Sequence, residues 1–134
     1  MADITFPSPT AELSHKRRDL APDADAAFHA FSKAVFQEGA LPAKVKQIIA
    51  VAVAHVTQCP YCIRGHTKAA LRSGASEQEL MEAIWVAAEM RAGGAFAHSL
   101  LALDEMNGFS SAGGQRGGRA IRTQEPARHS RFAR

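Results

Sequence analysis

Cysteine is scarce in this 134-residue chain: there are two, three positions apart, and tryptophan and tyrosine occur once each. Two cysteines cannot build the disulfide framework of a small secreted fold, so the pair reads as a redox or metal site in a reducing compartment. No run reaches the roughly 18 consecutive apolar residues that a membrane helix needs. Residues 1–9 hold neither a basic leader nor a long apolar stretch. The expectation is a cytoplasmic protein with no membrane partner. Strand-like alternation never persists beyond a few residues, and no repeat of about 20–50 residues is visible.

Positive charge is also missing from most of the chain. The net charge is +3, but residues 110–134 hold six arginines against Glu125, a balance of +5 that leaves −2 for the remainder. A basic patch on the body, the footprint of a nucleic-acid binder, is therefore not expected, and no nucleic-acid partner is assigned. The Gly/Ser/Arg-rich stretch from 110 onward offers almost no apolar surface and is expected to be a disordered basic tail.

What is abundant is Ala, Leu, Val, Ile and Met, a composition that favours helix, at a length suited to one domain. The fold class expected is all-α, a compact domain of about five to six helices over residues 22–109, preceded by a flexible arm at 1–21. Within the arm, the charged cluster from His15 to Asp19 can contribute to a short helix. Phe28, Phe31, Val35 and Phe36 recur at helical spacing behind Asp23 and Asp25, and Gly39 supplies the stop. Pro42 opens a second core helix, whose Val45, Ile48, Ile49, Ala52, Val53 and Val56 predict broad burial. A third begins at Pro60 and ends before Gly74. Ser76-Glu77-Gln78-Glu79 reads as a capping box for a fourth helix. This helix is expected to break or kink at Gly93 and Gly94, with a last helix over 95–107. Trp85, Phe96 and the phenylalanines of the first core helix are expected in the core or in a subunit contact.

The chemistry concentrates in Cys59-Pro60-Tyr61-Cys62 and His66. A helix start presents unsatisfied N–H groups and partial positive charge, which favour a thiolate on either cysteine. Spaced three apart on a first turn, the sulfurs share a face and can close a small disulfide ring. His66 follows Cys62 by four residues and can move a proton for it. The helix-start argument favours Cys59 as the attacking sulfur and adjacency to His66 favours Cys62. These residues suit peroxide reduction through a sulfenic acid, and they equally suit disulfide exchange.

Leu41-Pro42-Ala43-Lys44-Val45-Lys46-Gln47, the apolar helix after it, and Cys59-Pro-Tyr-Cys62-Ile-Arg-Gly-His66 together resemble the carboxymuconolactone decarboxylase and alkylhydroperoxidase D superfamily, over about residues 25–107. The resemblance implies an antioxidant peroxidase in which Cys62 attacks a hydroperoxide, Cys59 resolves and His66 relays protons. A homotrimer or homohexamer is also implied; the cycle itself calls for an external dithiol reductant, and no cofactor or bound metal is expected. The peroxidases of that superfamily carry glutamate twelve positions before the first cysteine, where this chain has Gln47. An amide hydrogen-bonds but does not shuttle a proton as a carboxylate does. His55 and Glu89 are candidates for that role beside Gln47. His55 equally fits a hydrogen-bonded histidine at a helix end, and Glu89 a rim or interface carboxylate paired with Arg91 or a lysine. The segment from Ala88 to His98 resembles that of a peroxidase-related subgroup.

Three other readings remain. The chain could be a thiol–disulfide exchange module without peroxidase activity. It could be a lactone decarboxylase, against which the CxxC pair argues. It could also hold structural zinc on His55, Cys59, Cys62 and His66, although these spacings are very short for that ion.

Overall fold

The computed structural model describes residues 6–114, which form five α-helices and, among those residues, no strand. In chain order these are α1 (Ala11–Leu20), α2 (Pro22–Phe36), α3 (Ala43–Thr57), α4 (Pro60–Arg72) and α5 (Glu77–Gly114). The all-α expectation holds. The expectation for the tail lies outside the described residues from 115 onward, while residues 110–114 continue α5.

Part of the segment expected as an arm is helical. Thr10 caps α1 by accepting the Leu13 N–H on Oγ1 at 3.2 Å. Glu12 in its first turn and Arg17 and Arg18 in its last complement the helix dipole. Arg17 then reaches Asp25 at 3.4 Å, which ties α1 to α2. From α3, the Lys46 ammonium donates to the carbonyls of Val35 at 2.8 Å and Gln37 at 2.6 Å. It thereby satisfies acceptors at the C-terminal end of α2.

The core lies where α3 and α4 pack and the start of α5 meets them. Val51, Ala70, Ala75 and Leu80 are buried there, with Ile48 and Ile84 packed against them. The expected capping box forms in full: Glu79 N–H donates to Ser76 Oγ at 3.1 Å, and Ser76 N–H donates to the Glu79 carboxylate at 2.8 Å. Lys44 on α3 adds an ion pair to Glu79 at 2.8 Å, so the start of α5 is fixed to α3.

Two expectations need correction. Of α3, only Val51 and Ala54 are buried, and Ile49, Val53 and Val56 form an exposed stripe. The helix packs on α4 along one side, and among the described residues nothing covers the stripe on the other. Phe28 and Trp85, expected in the core or in a subunit contact, are 67% and 70% exposed in the single chain, which leaves the second alternative. The helix does not end at Gly93 and Gly94, since α5 is helical throughout. A helical glycine costs only about 1 kcal/mol relative to alanine. At Gly93 the missing side chain also leaves room for the Glu89 carboxylate, which a Cβ would meet at 3.3 Å. The chain nonetheless divides into two compact units at this point, one ending at Gly94 and one beginning at Ala95. The described part of the second unit is helix, with Ser99 Oγ donating to Phe96 O at 2.6 Å.

Candidate functional site

The site begins with a sharp turn. Gln58 ends α3 in the left-handed conformation, at φ 56° and ψ 42°, and Cys59 N–H donates to Ala54 O at 3.2 Å. This reversal makes Cys59 the N-cap of α4, with Pro60 in the first turn, where its missing N–H costs nothing. The Cys62 backbone N–H donates to Cys59 Sγ at 3.3 Å, so a sulfur performs the capping task usually given to an oxygen. Cys59 and Cys62 are joined as a disulfide with Cα atoms 5.3 Å apart, inside the ordinary range for such a bond. Both residues are half-buried.

One turn further along α4, His66 is held from two sides. Its Nδ1 lies 2.9 Å from Gln47 Oε1 on α3, and its ring lies 5.1 Å from the Phe36 ring at the end of α2, tilted by 31°. The Gln47 carbonyl oxygen only accepts, so Nδ1 carries the hydrogen and Nε2 is left with a free lone pair able to take a proton. Three helices therefore fix the tautomer and plane of one imidazole. Phe36 was expected only as an apolar position, and nothing in its helical spacing marks it as a ring that packs on His66.

The other candidates lie elsewhere. His55 directs Nδ1 to the Val51 carbonyl at 2.7 Å, while its own carbonyl accepts from the side chains of Gln58 and Arg91. It is a hydrogen-bonded histidine at a helix end. Glu89 is exposed on α5 with its carboxylate against Gly93 and, among the described residues, forms no ion pair with Arg91. Arg91 instead donates to the Val56 carbonyl at 3.3 Å, at the end of α3. No described hydrogen bond joins His55 or Glu89 to Cys59, Cys62 or His66. Among the described residues, no group of His, Cys, Asp and Glu side chains is assembled to hold a metal ion. The four-ligand zinc set is therefore not gathered in this conformation.

Tyr61, between the two cysteines, contacts a segment that sequence spacing could not bring to it. Its hydroxyl donates to the Pro7 carbonyl at 2.8 Å, and its ring meets Phe6 edge to face with centroids 6.2 Å apart. Phe6 and Pro7 are thus laid against the start of α4.

The fold and the site together define a helical thiol–disulfide domain with its cysteine pair at a helix start and a histidine one turn behind. A sequence model of the Carboxymuconolactone decarboxylase family matches residues 22–105, and the chain belongs to that family. It is 58% identical over 111 residues to "Uncharacterized protein 4 in cox locus" of Paracoccus denitrificans, a match covering 81% of this chain and 99% of that one. The structure resembles that of a Methanobacterium thermoautotrophicum protein, with 37% identity, a TM-score of 0.59, and coverage of 62% of this chain and 93% of the other. It also resembles the apo form of a carboxymuconolactone decarboxylase family protein from Legionella pneumophila, at 32% identity and a TM-score of 0.56, covering 72% and 86% of the two chains.

Proposed function

We propose that this protein is a thiol-dependent hydroperoxide reductase that cycles Cys59 and Cys62 between dithiol and disulfide. The observation that carries the reading is the cysteine pair at the start of α4 with His66, one turn behind, held by Gln47 in the tautomer that leaves Nε2 basic. In the reduced form, His66 takes the proton of the Cys62 thiol and the thiolate attacks the distal oxygen of the hydroperoxide. An S–O bond forms, the O–O bond breaks, and the leaving alkoxide takes the proton from His66 to depart as alcohol. Cys59 then attacks the sulfenic sulfur, forming the S–S bond and releasing water. An external dithiol reduces the disulfide and closes the cycle. The Cys62 N–H at Cys59 Sγ stabilises negative charge on Cys59, which makes it the better leaving group when the reductant attacks Cys62.

The test is the rate of thiol loss after adding tert-butyl hydroperoxide to the fully reduced protein. Rapid loss of both thiols in the wild type, none in Cys62→Ser, and a sulfenic acid trapped in Cys59→Ser support the assignment. Inertness of the wild type rules it out. One observation favours a second reading, thiol–disulfide exchange without peroxide: the partner of His66 is an amide and not a carboxylate. That reading predicts reduction of a mixed-disulfide probe by a protein that hydroperoxide leaves untouched.

The protein is further proposed to act in the reducing cytoplasm as a homotrimer or homohexamer. No described helix is long and apolar enough to cross a membrane. Phe28, Phe31 and Trp85 are each more than three-fifths exposed in the single chain, more apolar surface than a lone protomer ordinarily leaves in water. Light scattering on the purified protein checks the assembly, and a monomer refutes it.

A further inference from the structure

A hollow of about 760 Å³ lies on the side of α4 that carries Tyr61, Gly65 and Lys68. It is large enough for a small organic ligand. Its composition is divided. Pro7, Pro9 and Leu13 supply apolar wall, while Arg17, Arg64 and Lys68 supply three positive charges, and no carboxylate lines it. Arg17 is partly neutralised by Asp25 at 3.4 Å. Arg64 and Lys68, one turn apart on α4, have no ion-pair partner among the described residues. The Tyr61 hydroxyl, through its bond to Pro7 O, fastens the apolar wall to the cysteine turn.

We propose that this hollow binds an amphipathic carboxylate, a medium-length acyl chain with an anionic head. The head pairs with Arg64 and Lys68, and the chain lies against Pro7, Pro9 and Leu13. Guanidinium and ammonium groups without acidic partners attract a carboxylate, and the guanidinium fork can grip both of its oxygens. The wall of proline and leucine is what separates such a ligand from a bare inorganic anion. At Gly65, a Cβ would meet nothing within 4 Å, so the floor of the hollow is open where any other residue would begin to fill it. Tyr61 belongs both to this lining and to the cysteine turn, so the hollow begins one residue from Cys62 along α4, while Cys59, Cys62 and His66 themselves do not line it. If the chain reduces hydroperoxides, its preferred substrates are those that carry a carboxylate. This last step rests on the peroxidase reading, and the binding itself does not.

Titration calorimetry on the oxidised full chain at low salt decides it, with decanoate, 1-decanol and inorganic phosphate as probes. Decanoate is expected to bind saturably at one site per chain, at least ten-fold more tightly than either of the others. Arg64→Gln combined with Lys68→Gln should weaken decanoate at least ten-fold and leave decanol unchanged. Gly65→Leu, which keeps every charge, should weaken decanoate by filling the floor, while Lys33→Gln on α2 should change nothing. Equal binding of decanol, equal binding of phosphate, or absence of saturable decanoate binding overturns the proposal on the wild type alone, whatever the variants do. In a parallel arm, a medium-chain fatty-acid hydroperoxide and tert-butyl hydroperoxide are compared as oxidants of the reduced protein. A preference of ten-fold or more for the acid, lost in the double variant, supports the substrate assignment. Inertness to both sinks the peroxidase reading, while binding of decanoate in the hollow is still decided by calorimetry.

Discussion

His66 Nδ1 and Gln47 Oε1 lie 2.9 Å apart, and this bond from α4 to α3 sets which nitrogen of the imidazole is free to act. In the proposed cycle Gln47 is a positioning residue, orienting the base without itself accepting a proton. Gln47→Leu removes the bond while keeping the bulk, and lowers the rate of peroxide-driven disulfide formation by roughly ten-fold or more, within the usual range for disturbing a general base. Gln47→Glu restores a group that takes up protons and raises the rate. Stopped-flow thiol titration over a range of pH reads both. Unchanged rate and pH profile in Gln47→Leu would show that the contact is merely structural.

Ser76 and Glu79 exchange two hydrogen bonds at the start of α5. Loss of the cap hydroxyl in Ser76→Ala should destabilise the protein by about 0.5–2 kcal/mol, measured by urea unfolding.

The Glu79 carboxyl is held below its ordinary value of 4.5, chiefly by the hydrogen bond from the Lys44 ammonium and then by the Ser76 N–H. A carboxyl whose folded value is depressed contributes its stability above 4.5, and that contribution is lost as pH falls through the lowered folded value. Thermal midpoints measured from about pH 6 down to about pH 3 should therefore fall less in Glu79→Gln than in the wild type. Parallel curves for the two proteins would rule out any net effect of the ion pair with Lys44.

Val51 has no exposed surface and lies at the centre of the α3–α4–α5 contact. Val51→Ala removes two methyl groups and leaves a gap that its helical neighbours cannot fully close, at a cost of about 2–3 kcal/mol. Denaturant unfolding should show this as a lower midpoint with an unchanged slope.

Gly74 has φ +88°, a conformation in which any side chain is strained. Gly74→Ala should cost about 1 kcal/mol although open space surrounds the position, because the penalty is in the backbone and not in packing. A neutral result would mean that the turn between α4 and α5 can relax.

The amino-acid sequence by itself determined where most of the helices start and which residues share the first turns of α4, because both depend on residues within a turn or two of each other. Pro22, Pro60 and the Ser76–Glu79 box mark helix starts through backbone groups that need partners, wherever the helix then packs. The same holds for Cys59, Cys62 and His66, whose spacing along one helix is fixed by its period. Gln47 was legible as a departure from a known pattern. That it would accept from His66 Nδ1, with Phe36 packed on the same ring, depended on how three helices meet. Burial was not legible for the same reason: Val51 and Ile49 are both apolar residues of α3, and only the position of α4 decides that the first is core and the second exposed. The laying of Phe6 and Pro7 on Tyr61 likewise spans more than fifty residues, a distance over which local propensity carries no information. Hydrogen-bonding need and helical period act along the chain, whereas side-chain partners and exclusion of water are decided only once the helices have packed.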